Sequence, residues 1–314
     1  MKKLFIFFIL VFLRITMQAQ ESKTAYNFLR LPVSAHAAAM GGANISIIED
    51  DASLVFHNPA LLSSVSDKTL NLNYSNYIKG VNALSAVFNK TIKEKTSVAV
   101  SAQYMNYGTL SERTADNTEI GTFTPKDIAV GGYLSHILAQ NIAGAIGIKM
   151  ISSNIGAYSS FAMGVDLGLN YYHPETEWSV SMVIKNLGGQ LKAYDNEYEK
   201  LPAEVQIGVS KRLEHMPLRF SATLIDLNHG GYPLLQHLAL GMDALLSQNI
   251  WAGIGYNPRL SNEMKITSAE TTAAHGAGLT LGAGVNLERF KLNLAYGKYH
   301  VSGASLVVNV GYSL

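Results

Sequence analysis

From Thr69 to the end of the chain, apolar and polar residues alternate one for one. In TLNLNYSNY, Leu70, Leu72 and Tyr74 share one face while Asn71, Asn73 and Ser75 share the other. AEVQIGVS sets Val205, Ile207 and Val209 against Glu204, Gln206, Gly208 and Ser210, and VDLGLNY sets Val165, Leu167 and Leu169 against Asp166, Gly168 and Asn170. The closing SLVVNVGYSL keeps Leu306, Val308, Val310, Tyr312 and Leu314 together. A period of two marks strands with one apolar face. The pattern predicts fourteen strands, at 69–77, 81–91, 96–108, 125–138, 142–153, 160–172, 178–186, 203–212, 217–226, 236–246, 250–257, 277–287, 291–299 and 304–314.

The connections decide what these strands build. Those after even-numbered strands are short, around KEK, AQ, HPETE, EHM, SQN and ERF; several after odd-numbered strands are long, at 109–124, 187–202, 227–235 and 258–276. Short turns at one end, long loops at the other and an even strand number describe an all-β, 14-stranded antiparallel transmembrane β-barrel. A β-sandwich would explain the alternation but not the one-sided loops. In lipid, only closure leaves no strand edge unpaired. Leu72, Val209 and Val308 are then expected to face lipid and Asn309 the lumen, where added charge should be better tolerated.

Composition agrees. Only 15% of residues are charged, against about 25% in ordinary soluble domains. A net charge of +1 excludes the basic surface that nucleic acid requires. The absence of cysteine excludes disulfides, thiol nucleophiles and an N-terminal lipidated cysteine. Lys149, Asp166, Lys185, Glu204 and Arg219 fall on the polar face, where they are expected to pair or be solvated rather than to trace a transport path.

At the N-terminus, Lys2 and Lys3 precede LFIFFILVFL. Ten apolar residues are too few for a spanning helix, which takes about 20, but they suit a signal peptide over 1–19, cleaved near Ala19. That implies export.

Residues 20–68 lack the strand pattern. SAHAAAM reads as a short helix with Ser34 as N-cap and Gly41-Gly42 as its stop. Asp50-Asp51 and Asn58-Pro59 are cap and turn chemistry. This segment, with Met40, Gly41, Gly42, Asp50, Asp51, Asn58 and Pro59 as structural elements, is expected to fold into the lumen as a plug. His57 beside Asp50 or Asp51 could be imagined as a base and its orienter, but no nucleophile accompanies it. The nine histidines show no zinc spacing. GAGLTLGAGVN lacks dinucleotide-loop spacing, and its alternate glycines suit close approach of plug or neighbouring strand. No catalytic residue, metal or cofactor is expected. Trp178 and Trp251 each open a strand after a short turn, as rim anchors would.

GGANISIIEDDASLVFHNPALL resembles the N-terminal plug of FadL-like outer-membrane barrels. The Asn-Leu-Gly at 186–188, Leu-Pro at 201–202 and Leu-x-His-x-Pro at 213–217 resemble PorQ-type components of the Bacteroidetes type IX secretion system. The likeness runs from about Tyr26 to the end, although Leu314 stands where many such barrels end in Phe. It implies a monomeric outer-membrane barrel that holds the surface protein PorZ. A sortase and a shuttle barrel would act with it to fix cargo to anionic lipopolysaccharide. The partner-binding loop is then expected at 187–202, through Tyr194, Asp195, Glu197, Tyr198 and Glu199, with 258–276 ranked second. The alternative is a FadL-like transporter of hydrophobic molecules, which needs a broken strand as lateral exit.

Overall fold

The computed structural model describes residues 24–247, 249–264, 266–267, 272–273, 276–300 and 303–314; the expected signal peptide lies outside them. Numbering only the wall, the strands are β1 (Thr69–Ile78), β2 (Val81–Lys93), β3 (Thr96–Asn106), β4 (Lys126–Ala139), β5 (Ile142–Ile155), β6 (Tyr158–His173) and β7 (Trp178–Lys192). They continue as β8 (Glu204–Arg212), β9 (Leu218–Leu224), β10 (Leu238–Leu245), β11 (Ile250–Tyr256), β12 (Leu279–Asn286), β13 (Phe290–His300) and β14 (Gly303–Ser313). They form one closed antiparallel barrel in which β14 pairs back onto β1, from Thr69 opposite Ser313 to Asn76 opposite Leu306. Among the described residues no helix is long and apolar enough to cross a membrane; the crossing is made by strands.

The wall is inside-out relative to a soluble protein. Leu72 and Val100 are 52% and 63% exposed, while Asn71, Asn73 and Asn89 on the opposite face are buried. Val209 and Val308 hold outward, half-buried positions in the same alternation. Burying this apolar belt against lipid stabilises the barrel, as core burial stabilises a soluble domain.

The long loops gather at one end, with a small hairpin (Leu110–Arg113 with Glu119–Phe123) between β3 and β4. In outer-membrane barrels this end faces the cell exterior and the short turns face the periplasm. Strand β7 runs past its expected end at 186 to Lys192.

The lumen holds most of residues 24–65, and Asn309, expected to face the lumen, is packed against them. Its Nδ2 donates to Val33 O at 2.9 Å and to Asn73 Oδ1 at 2.8 Å, and its Oδ1 accepts from Ala35 N. Two distinct failures are therefore expected. Val308→Arg puts a cation in lipid, at roughly 2–4 kcal/mol near the bilayer midplane, and should reduce the heat-modifiable folded band on a gel. Asn309→Arg should leave that band intact and expose the plug to protease. A fully protease-resistant Asn309→Arg barrel would contradict the packing.

Candidate functional site: the plug and the rim above it

The plug begins at the long-loop end. Ala25 N donates to Lys200 O at 3.0 Å, and the Tyr26 hydroxyl contacts Ser160 Oγ. Phe28 and Leu29 pack with Met105, Ala129, Ile151 and Leu201. The short helix α1 (Ala35–Ala39) follows; Ser34 Oγ accepts from Ala37 N at its start. Gly41 and Gly42, at φ of 84° and 83°, end it in the left-handed region that favours glycine. Asp51 caps a 3-10 turn at Ala52–Phe56, and Asn58, with Pro59 after it, caps another at Pro59–Ser64. The Asp-Asp and Asn-Pro elements thus set turns, as their chemistry predicts.

The three consecutive acids Glu49, Asp50 and Asp51 have separate partners. Asp50 pairs with Lys291 of β13 and accepts from Ser66 N at 2.7 Å. Asp51 accepts from Ser34 Oγ at 3.0 Å and from Asn71 Nδ2 at 2.8 Å. Glu49 enters a buried four-residue network with His36, Arg219 and Asp243. Arg219 Nη2 lies 2.6 Å from Glu49 Oε1 and 2.7 Å from Asp243 Oδ2. His36 Nδ1 is 2.6 Å from Glu49 Oε2, and its Nε2 is 3.3 Å from Asp243 Oδ2. The His36 ring also stacks on Trp251, with centroids 3.6 Å apart and planes at 6°.

Electrostatics favours the charged forms. Burial by itself would lower the His36 pKa, but the facing Glu49 carboxylate and the bond to Asp243 outweigh it and raise the pKa. Burial would likewise raise that of Glu49, yet His36 and Arg219 hold it below the usual range. With both cations and both anions charged, the network is neutral as a whole. His36, Glu49 and Asp243 bring ligand atoms within 4.8 Å of one another, a spacing a metal ion could use. Arg219 already lies across both carboxylates, so its guanidinium takes the place of a bound cation. The network latches plug to wall.

His57 is not a base oriented by Asp50 or Asp51, which are engaged elsewhere. Its Nε2 accepts from Val33 N and Ser34 N at 3.3 Å each. Burial, together with the charge of Lys185, lowers its pKa to about 3. It is a neutral strut.

Midway along β7, the Asn-Leu-Gly and Leu-Pro elements meet. Asn186, at φ 57°, forms a bulge in β7 opposite Asp166, whose Oδ1 accepts from Asn186 N at 2.8 Å. Asn186 Nδ2 donates to Pro202 O at 3.1 Å, and its Oδ1 accepts from Lys149 Nζ at 2.5 Å. Lys149 also pairs with Asp166 at 2.8 Å. Leu201 is buried against Gly164, so the bulge is filled from inside.

Of the expected partner-binding residues, Tyr194 is half-buried against Tyr26, their rings 6.3 Å apart, and so belongs to the plug contact. Asp195, Glu197, Tyr198 and Glu199 are exposed, Tyr198 by 67%. Only part of 258–276 is described; it opens with helix α2 (Pro258–Glu263).

The barrel fold is shared with known structures. The Pseudomonas putida toluene transporter TodX superposes with a TM-score of 0.58 at 10% identity, covering 90% of this chain and 98% of that one. A Pseudomonas aeruginosa FadL homologue gives 0.55 at 12% identity, covering 90% and 99%. Identities this low establish the fold alone. No curated protein matches the sequence. Residues 52–306 match the type IX secretion system membrane protein family PorP/SprF. The chain belongs to that family.

In this PorP/SprF-family barrel the two tryptophans part company. Trp178 is 46% exposed at the short-turn rim, with the Lys211 ammonium 5.7 Å over its ring. Trp251 is not a rim anchor. It is buried in the lumen, and its Nε1 donates to Asn293 Oδ1 at 3.0 Å. Its phase along β11 carried the signal: Trp251 shares the inward face with Gly253 and Gly255, while Ile250 and Ile254 face out.

Proposed function

We propose that this barrel is a PorQ-type component of the attachment machinery in the outer membrane. It holds a PorZ-like surface protein, and with a sortase and a shuttle barrel it helps fix secreted cargo to the cell surface. It acts as a scaffold without catalytic activity. Membership of the type IX secretion family supports the setting. The single structural observation behind the scaffold role is the seated plug, tied to the wall by the Arg219 network and by Asp50–Lys291. A transporter of the FadL kind needs a lateral exit, and the mid-wall bulge at Asn186 is filled by Leu201.

The grip in this reading is the exposed tip 195–199, acidic and with one aromatic anchor. Interfaces favour such anchors, with charge at the rim. Replacing 195–199 by Gly-Ser, while keeping Gln190, Tyr194 and Leu201, is expected to preserve the heat-modifiable barrel. The surface partner should then appear in the medium, and cargo should be secreted unattached. Normal cell-bound partner and attached cargo would remove this tip from the proposal.

A further inference from the structure

The plug does not fill the long-loop half of the lumen. A cavity of about 190 Å³ lies between Arg30, Gly42 and His57 of the plug and Lys185, Glu204 and Gln206 of the wall. Ile225, Leu260 and Glu263 stand around it from the long-loop side. Lys185 and Glu204 face each other directly in the register of β7 and β8. Each is only 7% exposed, and Gln206 only 4%. Yet the side chains of all three open onto the cavity, and the Lys185 and Glu204 side chains do not close into an ion pair. Elsewhere in this lumen, opposed charges close on each other, as Lys149 and Asp166 do at 2.8 Å.

The plug adds a donor. His57 Nε2 accepts two backbone N–H groups, so its ring proton sits on Nδ1. Arg30 also lines the space, but its Nε is closed off from it and its Nη1 lies 3.7 Å from Asp226. The wall therefore offers the space an ammonium, a carboxylate and an amide side by side, and the plug offers it the His57 ring. Buried charge and buried polar groups are costly without partners. A single water occupies roughly 30 Å³ of liquid, so the cavity can take something larger.

We propose that this cavity binds a small zwitterion of the α-amino-acid kind. The ligand carboxylate takes Lys185 and the His57 ring N–H, and its ammonium takes Glu204 and Gln206. Such a ligand touches plug and wall together, so it binds the seated form and raises its stability by mass action. This inference does not depend on the scaffold role.

The test uses the full barrel purified in detergent micelles, with calorimetric titration and thermal melting against glycine, L-alanine, acetate and methylammonium. Saturable binding of glycine or L-alanine is expected, with a rise in melting temperature. Acetate and methylammonium, each lacking one of the charges, should bind at least about tenfold more weakly, the worth of one hydrogen bond to a charged group. Lys185→Met and Glu204→Gln should each cost a similar factor while the gel-shifted barrel persists. If neither amino acid binds the unaltered protein, or if acetate binds as well as glycine, the proposal is wrong. The four-ligand comparison on unaltered protein decides this even where a variant fails to assemble.

Discussion

An Arg219→Met barrel is expected to assemble and to lose its seated plug. The Arg219 side chain is 9% exposed and is shared between Glu49 of the plug and Asp243 of β10. Without it, two buried carboxylates face a single imidazolium. Breaking a buried ion pair by removing one partner costs roughly 3–5 kcal/mol, or about two to four orders of magnitude in the seated-to-unseated ratio. Ion conductance in planar bilayers should rise, and protease should cut within 36–50. Adding Glu49→Gln and Asp243→Asn removes the uncompensated charge, so the triple variant should recover most of the protection. Unaltered conductance and protection in the single variant would show that the latch does not hold the plug.

The same network sets a pH dependence. The His36 pKa is raised above its ordinary 6.5, so its contribution is complete below 6.5 and is lost as pH climbs through the raised value. The Glu49 pKa is lowered from 4.5, so its contribution is complete above 4.5 and is lost as pH falls through the lowered value. Both contributions are complete between 4.5 and 6.5. Protease protection of residues 36–50 should be greatest in that window and decline on both sides.

How far the sequence reveals this molecule depends on what each signal measures. Period two reports which face of a strand is apolar, so TLNLNY and SLVVNVGYSL located wall strands and their lipid side. Loop lengths reported the two ends. Cap residues act within a few positions of themselves, so Ser34, Asp51 and Asn58 were legible as caps before any fold was known. None of these signals says what an inward residue meets across the lumen. Arg219 and Glu49 lie 170 residues apart, and nothing local joins them. Asn309 is legible as inward-facing, but its bonds to Val33 and Ala35 are not, because a polar face is the same string whether it lines a pore or receives a plug. Trp251 sits at a strand end as a girdle residue does, and only its phase along β11, opposite to Ile250 and Ile254, marks it as inward. The glycines were the better guide: GAGLTLGAGVN places Gly282 where an added Cβ would come within 2.5 Å of the Ala39 Cβ.

The closest of these approaches gives a sharp expectation. A Cβ at Gly255 would lie 2.0 Å from Gly41 N and 2.6 Å from Met40 C, both backbone atoms. That backbone has little freedom to withdraw. Gly41 N donates to Thr280 Oγ1 at 3.0 Å, Gly41 O accepts from Asn257 Nδ2 at 3.2 Å, and Thr280 Oγ1 donates to Ala39 O at 2.7 Å. Gly255 lies within β11 and shows no positive φ, so valine suits the strand itself. The main conflict is with the plug backbone; the Thr280 Oγ1 of β12, 2.6 Å away, is the one wall atom it also meets. Overpacking a core typically costs about 1–3 kcal/mol when side chains can adjust, and here a main chain would have to move. Gly255→Val should therefore give a gel-shifted, assembled barrel whose plug is protease-sensitive and whose conductance is raised. Gly132→Val is the matched control, because its Cβ meets nothing within 4 Å and it lies on the exposed face of β4. In a barrel lacking residues 24–66, Gly255→Val meets only the rotatable Thr280 side chain and should have a much smaller effect. Wild-type conductance and protection in Gly255→Val would place the plug away from β11.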